Sequence, residues 1–313
     1  MMNPTDLEIR DLNYMVRSYD GLNKLIVQVQ LRKHSLLPER PMDSLQILYG
    51  YKSQKEGNYQ GLIALKHKIS SDIGKLLDAW PIWSNWLAMV PGIGPYIGGK
   101  HIIMHYYRMT AICPDCGGEL EKKEGAFICS SCGKNVKGDG NLTYRIDRRD
   151  WRQASSWWHY MGLHNAPHCR TCGRRVTKEN GLFMCDKCKK PEPDPVYRKP
   201  KKQKGMQADW SSQGRAIAYQ VGQAFIKKNN GHLYRAYYDK RRAMRDKTHP
   251  DASKAHKMNM ALNETIKLFE SHFWMVAREL EGLPVPLPRI CEMDPNHKLI
   301  TPYYWEGIEP VIT

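Results

Sequence analysis

The sequence predicts a mainly α-helical protein with two small β modules inserted in loops of the helical scaffold. Three observations support this fold class. Apolar residues recur at helical spacing along much of the chain, a cysteine pattern occurs twice, and the cysteine segments interrupt the helical ones. With 313 residues, the chain is long enough for roughly two or three domains with a packed core.

Helices are predicted where apolar residues follow a spacing of three and four. Near the N-terminus this spacing predicts a helix over residues 21–33, and a longer amphipathic stretch begins at Gly61. Toward the C-terminus it predicts helices over 212–228 and 233–247, and a third with Pro250 in its first turn. The predicted segments are an N-terminal helical segment (1–60), a long helix with a hairpin turn (61–112), the first cysteine module (113–134), a connector with an aromatic helix (135–168), the second cysteine module (169–190), a basic linker (191–211), a three-helix region (212–281) and a proline-rich tail (282–313).

The last predicted helix carries a heptad-like apolar stripe. Such a stripe packs against another helix or against a partner chain, so a homo-oligomer formed through this helix is expected. The stripe consists of Leu262, Ile266, Phe269, Phe273, Val276 and Leu280.

Aromatic residues cluster at two further places. Trp80, Trp83 and Trp86 are interpreted as core residues, in preference to platforms on which bases could stack. The tail aromatics are expected to dock back onto the body of the protein; they are Tyr303, Tyr304 and Trp305.

One cysteine pattern occurs twice, 56 residues apart, with twelve residues between the two CxxC pairs of each copy. A glycine follows the first pair (Gly117, Gly173), and a phenylalanine precedes the second pair by two (Phe127, Phe183). Two thiolates at CxxC spacing reach one metal ion from a tight turn, and a second such turn completes a tetrahedral site. We therefore predict two zinc ribbons with closed, structural Zn²⁺ sites, whose ligands are Cys113, Cys116, Cys129, Cys132, Cys169, Cys172, Cys185 and Cys188.

The alternative, two disulfides in a secreted protein, is not favoured by the start of the sequence. Asp6, Glu8 and Asp11 have the wrong charge for a signal or transit segment, so the expected location is cytoplasmic, and nucleoid-associated if the protein binds DNA. Because no apolar run reaches membrane-spanning length, no membrane association is predicted. The ninth cysteine, Cys291, is interpreted as a small apolar residue.

The net charge of +16 is concentrated in one part of the chain. Between Tyr197 and Lys257 there are 16 Lys and Arg residues against 4 Asp and Glu residues, a net charge of +12. A positive field of this density attracts polyanions, and nucleic acid is the first candidate partner. A solvated helix face on a merely basic protein is the alternative.

The stretch of residues 90–95, VPGIGP, is typical of the turn of a helix-hairpin-helix. In such a turn, glycines let the backbone approach a phosphate, and the first amides of the next helix, here at 97–99, bind its oxygens. The hairpin candidates are Pro91, Gly92, Ile93 and Gly94, with a charge contact from Lys100. A plain turn between two helices is the alternative.

Zinc ribbons serve as nucleic-acid readers, as protein-docking modules or as stabilising elements. The second module is basic around its cysteines, through Arg170, Arg174 and Arg175, which favours nucleic acid. The first module has mixed charge, which suits a protein contact or stability alone. The other nucleic-acid-binding candidates are the tract Arg198, Lys199, Lys201, Lys202 and Lys204, and Arg215, Lys240, Arg241, Arg242 and Arg245 on the C-terminal helices.

Several short motifs resemble, in order, the C-terminal domain of the insertion-sequence 110/116/902 transposases. They are MVPGIGP at 89–95, YMGL at 160–163, SQGR at 212–215, YRAYYD at 234–239 and the alanine-dotted final helix. Together the similar stretches cover about half of the chain, and the two cysteine modules then look like insertions into loops of that domain.

The resemblance implies an RNA-directed DNA recombinase that pairs a RuvC-like nuclease domain with a domain carrying a nucleophilic serine. Residues 1–60 lack the strand ending in Asp that opens the family's nuclease domain. No serine lies between Leu163 and Trp210, where the family places its nucleophile, and the second module occupies that interval. Ser211 and Ser212 are the nearest hydroxyls, and a helix-capping role is the ordinary interpretation of their position.

The sequence therefore favours a protein that binds nucleic acid, DNA first, and has lost its chemistry. Two alternatives stay open. One is an active recombinase that uses Ser211 or Ser212, and the other is a structural subunit that clamps a folded RNA within a ribonucleoprotein.

Overall fold

A computed structural model describes residues 4–35, 42–53, 57–123, 126–136, 142–179, 181–202, 208–227, 232–288 and 298–304. The chain forms two compact units, the first from residues 1–88 and 94–150, the second from residues 89–93 and 151–313. Helices dominate both units, and every sheet in the described residues is small and antiparallel. None of the described helices combines the length and apolar composition needed to cross a bilayer.

The first unit contains helices α1–α5 and strands β1–β7. The helices are α1 (Asp6–Ser35), α2 (Met42–Tyr49), α3 (Leu62–Leu77), α4 (Pro81–Asn85) and α5 (Pro95–Tyr106). The strands are β1 (Gly50–Ser53), β2 (Gly57–Gln60), β3 (Tyr107–Ile112), β4 (Leu120–Lys123), β5 (Ala126–Cys129), β6 (Asn135–Val136) and β7 (Thr143–Arg148).

Helix α1 begins fifteen residues before the predicted start at residue 21, so that prediction is wrong at its N-terminal end. A capping box starts the helix: the Thr5 amide donates to the Glu8 carboxylate at 2.7 Å, and the Glu8 amide donates to the Thr5 hydroxyl at 3.3 Å. The added turns carry a buried stripe that continues the helical spacing, formed by Ile9, Leu12 and Val16.

The core of the first unit lies where α1, α3 and α5 pack together. Trp80 and Trp86 are fully buried and Trp83 nearly so, which confirms their interpretation as core residues. A side chain at Gly98 would collide with the Trp83 ring, since its Cβ would lie 2.5 Å from Cζ3. Glycine at this position therefore lets α5 pack closely against the tryptophan.

The second unit is built on its last helix. Its elements are α6 (Ala154–Tyr160), β8 (Ala166–His168), β9 (Thr177–Glu179), β10 (Leu182–Cys185), β11 (Lys190–Pro191), β12 (Val196–Arg198), α7 (Ser212–Lys227), α8 (Leu233–Thr248) and α9 (Lys254–Leu280). Five of the six predicted stripe residues on α9 are buried, and Leu280 is partly exposed. The stripe is covered by α6, α7 and α8 of the same chain, so packing within the chain accounts for it.

Two details differ from the prediction for α9 and the tail. Pro250 lies outside α9, which begins at Lys254 because the Ser253 hydroxyl accepts the His256 amide at 3.2 Å and caps the helix. The tail does dock within the second unit, where the His272 ring bonds the Ile300 carbonyl at 2.7 Å. Trp305 and Cys291 lie outside the described residues.

Candidate metal centres and a basic cleft

Each cysteine module is built from two copies of one turn. In all four turns the amide of the residue after the CxxC pair donates to the carbonyl of the first cysteine. The pairs are Gly117 to Cys113 (2.9 Å), Gly133 to Cys129 (3.0 Å), Gly173 to Cys169 (2.9 Å) and Lys189 to Cys185 (2.8 Å). The backbone φ angle of all four donors is positive, between 53° and 72°. Three of the four positions are glycine, which adopts this conformation without strain.

The four sulfur atoms of each module surround a common point. The Sγ–Sγ distances are 3.9 and 3.5 Å in the first module and 3.9 and 3.4 Å in the second. Four sulfurs bonded at about 2.3 Å to one tetrahedral ion lie about 3.8 Å apart. These distances fit two metal sites and are far longer than the roughly 2.05 Å of a disulfide. The eight cysteines identified from the sequence are the residues brought together.

Backbone amides favour the thiolate form at one sulfur of the first module, Cys129, although burial opposes it and the pKa values of Cys116 and Cys188 are raised by the neighbouring thiols. The first cysteine of each pair is buried, and in the first module Cys129 packs with Leu120. Backbone amides of Cys132 and Ser131 point at the Cys129 sulfur and lower the pKa of this thiol to about 6. A lowered thiol pKa favours the thiolate, which is the form that binds metal.

Both modules stand on two-stranded antiparallel stems. The chain enters and leaves the first module through β3 and β7, paired from Tyr107 with Arg148 to Ile112 with Thr143. The second module stands on the shorter stem of β8 and β12, paired from Ala166 with Arg198 to His168 with Val196. Because the two strands of each stem are paired, the chain enters and leaves each module at neighbouring points. Each module can therefore be accommodated as an insertion in a loop.

A cleft of about 1010 Å³ lies in the second unit, between the β12 stem and helices α7 and α9. Among the described residues, five Lys and Arg side chains line it, and Glu264 is the one carboxylate. The cations are Arg198, Lys199, Arg215, Arg245 and Lys267. The remaining polar and aromatic lining includes Asn165, Tyr197, Trp210, Ser212, Tyr219, His256, Asn259 and Asn263.

The positive charges of this cleft are poorly compensated within the chain. Burial, followed by the neighbouring charges of Lys267 and Arg215, lowers the pKa of Lys199 to about 8. Burial also lowers the pKa of Lys267. The one carboxylate, Glu264, already pairs with both Arg245 and Arg241. Four predicted nucleic-acid-binding residues, from β12, the following tract, α7 and α8, therefore meet in one cavity.

Other predicted basic residues are engaged elsewhere in their own units. Lys100 pairs with Asp20 at 2.7 Å and is only 14% exposed. Ion pairs also hold Arg170 to Asp194, Arg175 to Asp209 and Arg242 to Asp246. The predicted residues that are exposed are Arg170, Arg174, Arg198, Lys201, Lys202 and Lys240. Lys204 lies outside the described residues.

The structure does not show a helix-hairpin-helix at residues 90–94. Before the turn the chain forms the five-residue α4 and a 3-10 turn at Leu87–Met89, in place of one long helix. Gly92 has a φ angle of +89°, and its Cβ would lie 3.1 Å from the Ala224 Cβ of α7. This close approach, together with the positive φ, accounts for glycine at this position.

The two candidate serines have different surroundings. Ser211 caps α7, since its hydroxyl accepts the Gly214 amide at 3.0 Å, as its position in the sequence suggested. Ser212, the first residue of α7, lines the basic cleft.

A histidine pair with an aspartate was missed by sequence reasoning. His159, His164 and Asp209 have their potential ligand atoms within 4.8 Å of one another. Burial, followed by the charge of His159, lowers the pKa of His164 to about 4, and Arg175 lowers the pKa of Asp209. Because Asp209 follows His164 by 45 residues, no local spacing signals the cluster.

Comparisons of this chain with protein-family models, with curated proteins and with solved structures found no match.

Proposed function

We propose that this chain is a zinc protein that binds nucleic acid, DNA first, through the basic cleft of its second unit. The observation that carries the proposal is the cleft itself, where five Lys and Arg side chains face one carboxylate that is already paired. Phosphate groups are the anions that such a surface attracts most strongly. Zn²⁺ is the ion that suits two closed four-thiolate sites.

The repulsion among the cations of the cleft supports a polyanionic ligand. Lys199 is held near Lys267 and Arg215, so three like charges repel one another in a partly buried place. A phosphate placed among them would remove this repulsion and would raise the pKa of Lys199 again. Repulsion that a bound anion relieves is typical of a binding site, although buried ion networks also produce it.

Aromatic side chains at the same cleft support contact with bases as well as with phosphates. Tyr197 is 58% exposed and Tyr219 is 47% exposed, and both line the cleft. The Arg215 guanidinium lies over the Trp210 ring, 5.4 Å from its centre. Basic grooves interleaved with aromatic rings bind single-stranded segments, because every base offers a face for stacking. We therefore expect unpaired or distorted DNA to bind more tightly than regular duplex.

The similarity to the transposase C-terminal domain enters as part of this proposal. The second module, on its β8–β12 stem, fills the interval in which that family keeps its serine. Ser211 caps a helix, which supports a domain that binds nucleic acid and has lost its catalytic activity. The position of Ser212 in the cleft is the observation that favours an active recombinase as the second candidate.

The proposal is tested by nucleic-acid binding measured across salt concentrations. We expect affinity to fall steeply with salt, with a log–log slope of roughly one per phosphate contact. The double variant Arg198→Gln with Lys199→Gln should lower the slope by about two and weaken binding roughly tenfold or more. Lys68→Gln, an exposed lysine on α3, is the matched control and should behave as wild type. A flat salt response would contradict the electrostatic model.

Two further measurements separate the alternatives. Incubation with branched or supercoiled DNA and Mg²⁺ should give no covalent adduct; an adduct lost in Ser212→Ala would establish the recombinase instead. Nucleic acid that co-purifies with the protein from its host should be DNA. Recovery of one folded RNA would support the ribonucleoprotein subunit.

A further inference from the structure

Three side chains that can bind a metal ion converge where α6 ends, outside both four-cysteine clusters. His159 lies in the last turn of α6, His164 follows the turn that ends this helix, and Asp209 precedes α7. The rings of the two histidines stack with their centres 3.8 Å apart and their planes 8° from parallel. His159 Nε2 lies 2.9 Å from Asp209 Oδ2. The three groups are therefore close together, and one of the stacked rings has to turn before both histidines can direct a lone pair at the same ion.

The backbone at the end of α6 builds this arrangement. The amides of Gly162 and Leu163 donate to carbonyls of the last helical turn, each at 2.9 Å. This is a Schellman motif, and Gly162 supplies the positive φ, +66°, that reverses the chain. A Cβ at Gly162 would lie 2.8 Å from Trp210 Cε3. Glycine therefore also lets Trp210, and with it Asp209, approach the helix end.

His164 is the least well satisfied of the three side chains. Both of its ring nitrogens are buried, and among the described residues neither makes a well-directed hydrogen bond, although the His159 backbone lies close enough to favour its protonated form. Buried polar atoms are normally satisfied, because leaving them without water or a partner costs free energy. A metal ion bonded to one of these nitrogens would satisfy it and would explain why a histidine is placed against His159.

We propose that His159, His164 and Asp209 bind a first-row divalent metal ion, with Zn²⁺ as the reference ion, at a third site. Imidazole and carboxylate are ligands that Zn²⁺ and its neighbours accept. Two atoms bonded to one Zn²⁺ at about 2.1 Å lie at most about 4.2 Å apart. In a tetrahedral site the separation is about 3.4 Å, so the three ligand atoms, which lie within 4.8 Å of one another, must move closer by side-chain rotation when the ion binds. Three protein ligands leave the fourth position to water or another oxygen ligand.

Arg175 of the second module supports the aspartate from outside the site. Its guanidinium holds both carboxylate oxygens of Asp209, at 2.7 Å each. A metal bound through Oδ2 leaves Oδ1 to Arg175, which then orients the ligand. Because Arg175 competes for the carboxylate, the ion at this site exchanges more readily than the ions held by four thiolates.

The test is the number of metal ions per chain. The full-length protein is dialysed to equilibrium against Zn²⁺ and analysed for metal and protein. We expect three ions for wild type and two for each of His159→Ala, His164→Ala and Asp209→Asn. His67→Ala, which removes an exposed histidine of α3, should retain three. Two ions in wild type, or three in His164→Ala, would overturn the proposal.

The same experiment reports whether each variant folds, since an unfolded variant would also lose the ions of the cysteine clusters. If the variants fail to fold, a Co²⁺ titration of wild type decides. A third equivalent that adds no thiolate-to-metal charge-transfer absorption supports the site, and saturation after two equivalents contradicts it. No nucleic acid is present in either measurement, so failure here leaves the proposed binding cleft untouched.

Discussion

The two cysteine modules share one internal construction and differ in what surrounds them. In each, the middle strand of a three-stranded sheet ends at the third cysteine, Cys129 in β5 and Cys185 in β10. The first module is linked to its own stem, where Arg145 pairs with Glu119 at 3.1 Å. The second is linked to the α6–α7 region, through Arg175 and Asp209.

Two properties of each module therefore depend on different parts of the chain. The metal-binding turns are set by local sequence, because glycine, CxxC spacing and backbone amides act within a few residues of one another. The role of each module is set by the stem that carries it. The stem of the second module ends in Arg198, at the edge of the basic cleft, whereas the stem of the first joins α5. We therefore expect the two modules to be equal in metal binding and unequal in function.

The largest expected effect comes from removing one buried ligand in each module. Cys129→Ala and Cys185→Ala should each lose one metal ion, because one of four thiolate ligands is removed. The affected module should then unfold, because structural zinc supplies roughly 10 kcal/mol or more to a small ribbon. Only Cys185→Ala should also weaken nucleic-acid binding, by about tenfold or more, since it disorders the stem that carries Arg198 and Lys199. Metal analysis and a binding titration check both statements. Equal losses of binding in the two variants would show that the modules are not functionally distinct.

A second contrast concerns pH. Lys199 follows the second stem and has a pKa of about 8, below its ordinary value because of burial. It is charged below this pH and neutral above it, so affinity for nucleic acid should fall roughly fivefold as pH rises from 7 to 9. Lys199→Gln should abolish this change. Arg145 of the first stem stays charged throughout this range, because its hydrogen bond to Asp147 raises its pKa.

The lowered pKa of Lys199 acts on folding stability in the opposite direction: affinity for nucleic acid should fall as pH rises, whereas stability should increase. Between pH 8 and 10.5 the unfolded chain keeps the Lys199 proton that the folded chain has lost, so this residue makes stability rise with pH. Urea titrations at pH 7 and pH 9 should therefore show that Lys199→Gln stabilises the protein more at pH 7.

The nucleic-acid titration decides the role of Lys199 in binding. If the affinity for nucleic acid stays constant between pH 7 and pH 9, Lys199 lies outside the contact surface.

The arginines that tie the modules down offer a smaller contrast. Arg175 is 31% exposed and makes two bonds of 2.7 Å to Asp209, whereas Arg145 is 49% exposed and divides its bonds between Asp147 and Glu119. Arg175→Gln should lower the free energy of unfolding by about 1 kcal/mol, and Arg145→Gln by less. Thermal unfolding of both variants, loaded with equal metal, measures the difference. A larger effect at Arg145 would reverse the inferred order of the two attachments.

Sequence reasoning succeeded where a property is local. It identified all eight cysteines, and it located α7 and α8 to within one residue, because capping, apolar spacing and turns are encoded nearby. It failed for the first half of α1, although the Thr5–Glu8 capping box and the helical spacing of Ile9, Leu12 and Val16 are both local signals.

The cleft and the histidine cluster could be predicted only in part. Arg198 and Arg245 were candidates separately, but they are 47 positions apart in the sequence, and only packing brings them to one cavity. The engaged side chains, such as Lys100 beside Asp20, could not be separated from the available ones by charge alone. Pairing across a fold depends on tertiary contacts that no local pattern specifies.

The smallest expected effect exchanges one residue between the modules. Gly133 and Lys189 occupy equivalent turns, with φ angles of +72° and +53°. This conformation costs a non-glycine residue about 1 kcal/mol in the folded state. Glycine avoids that strain, but its unfolded chain is more flexible, and the extra entropy lost on folding offsets part of the gain. Because a Cβ at Gly133 would meet no atom within 4 Å, the backbone alone decides the outcome.

Lys189→Gly should therefore tighten metal binding in the second module, and Gly133→Lys should weaken it in the first, each by roughly two- to fivefold. Competition with a chelator at equilibrium measures both changes, with Cys185→Ala or Cys129→Ala as the background that isolates the other module. Opposite changes of similar size in metal affinity would mean that the two turns are equivalent. The modules would then differ in their surroundings and not in their metal-binding turns. Shifts of the same sign would show instead that the stem and its neighbours reach into the metal site itself.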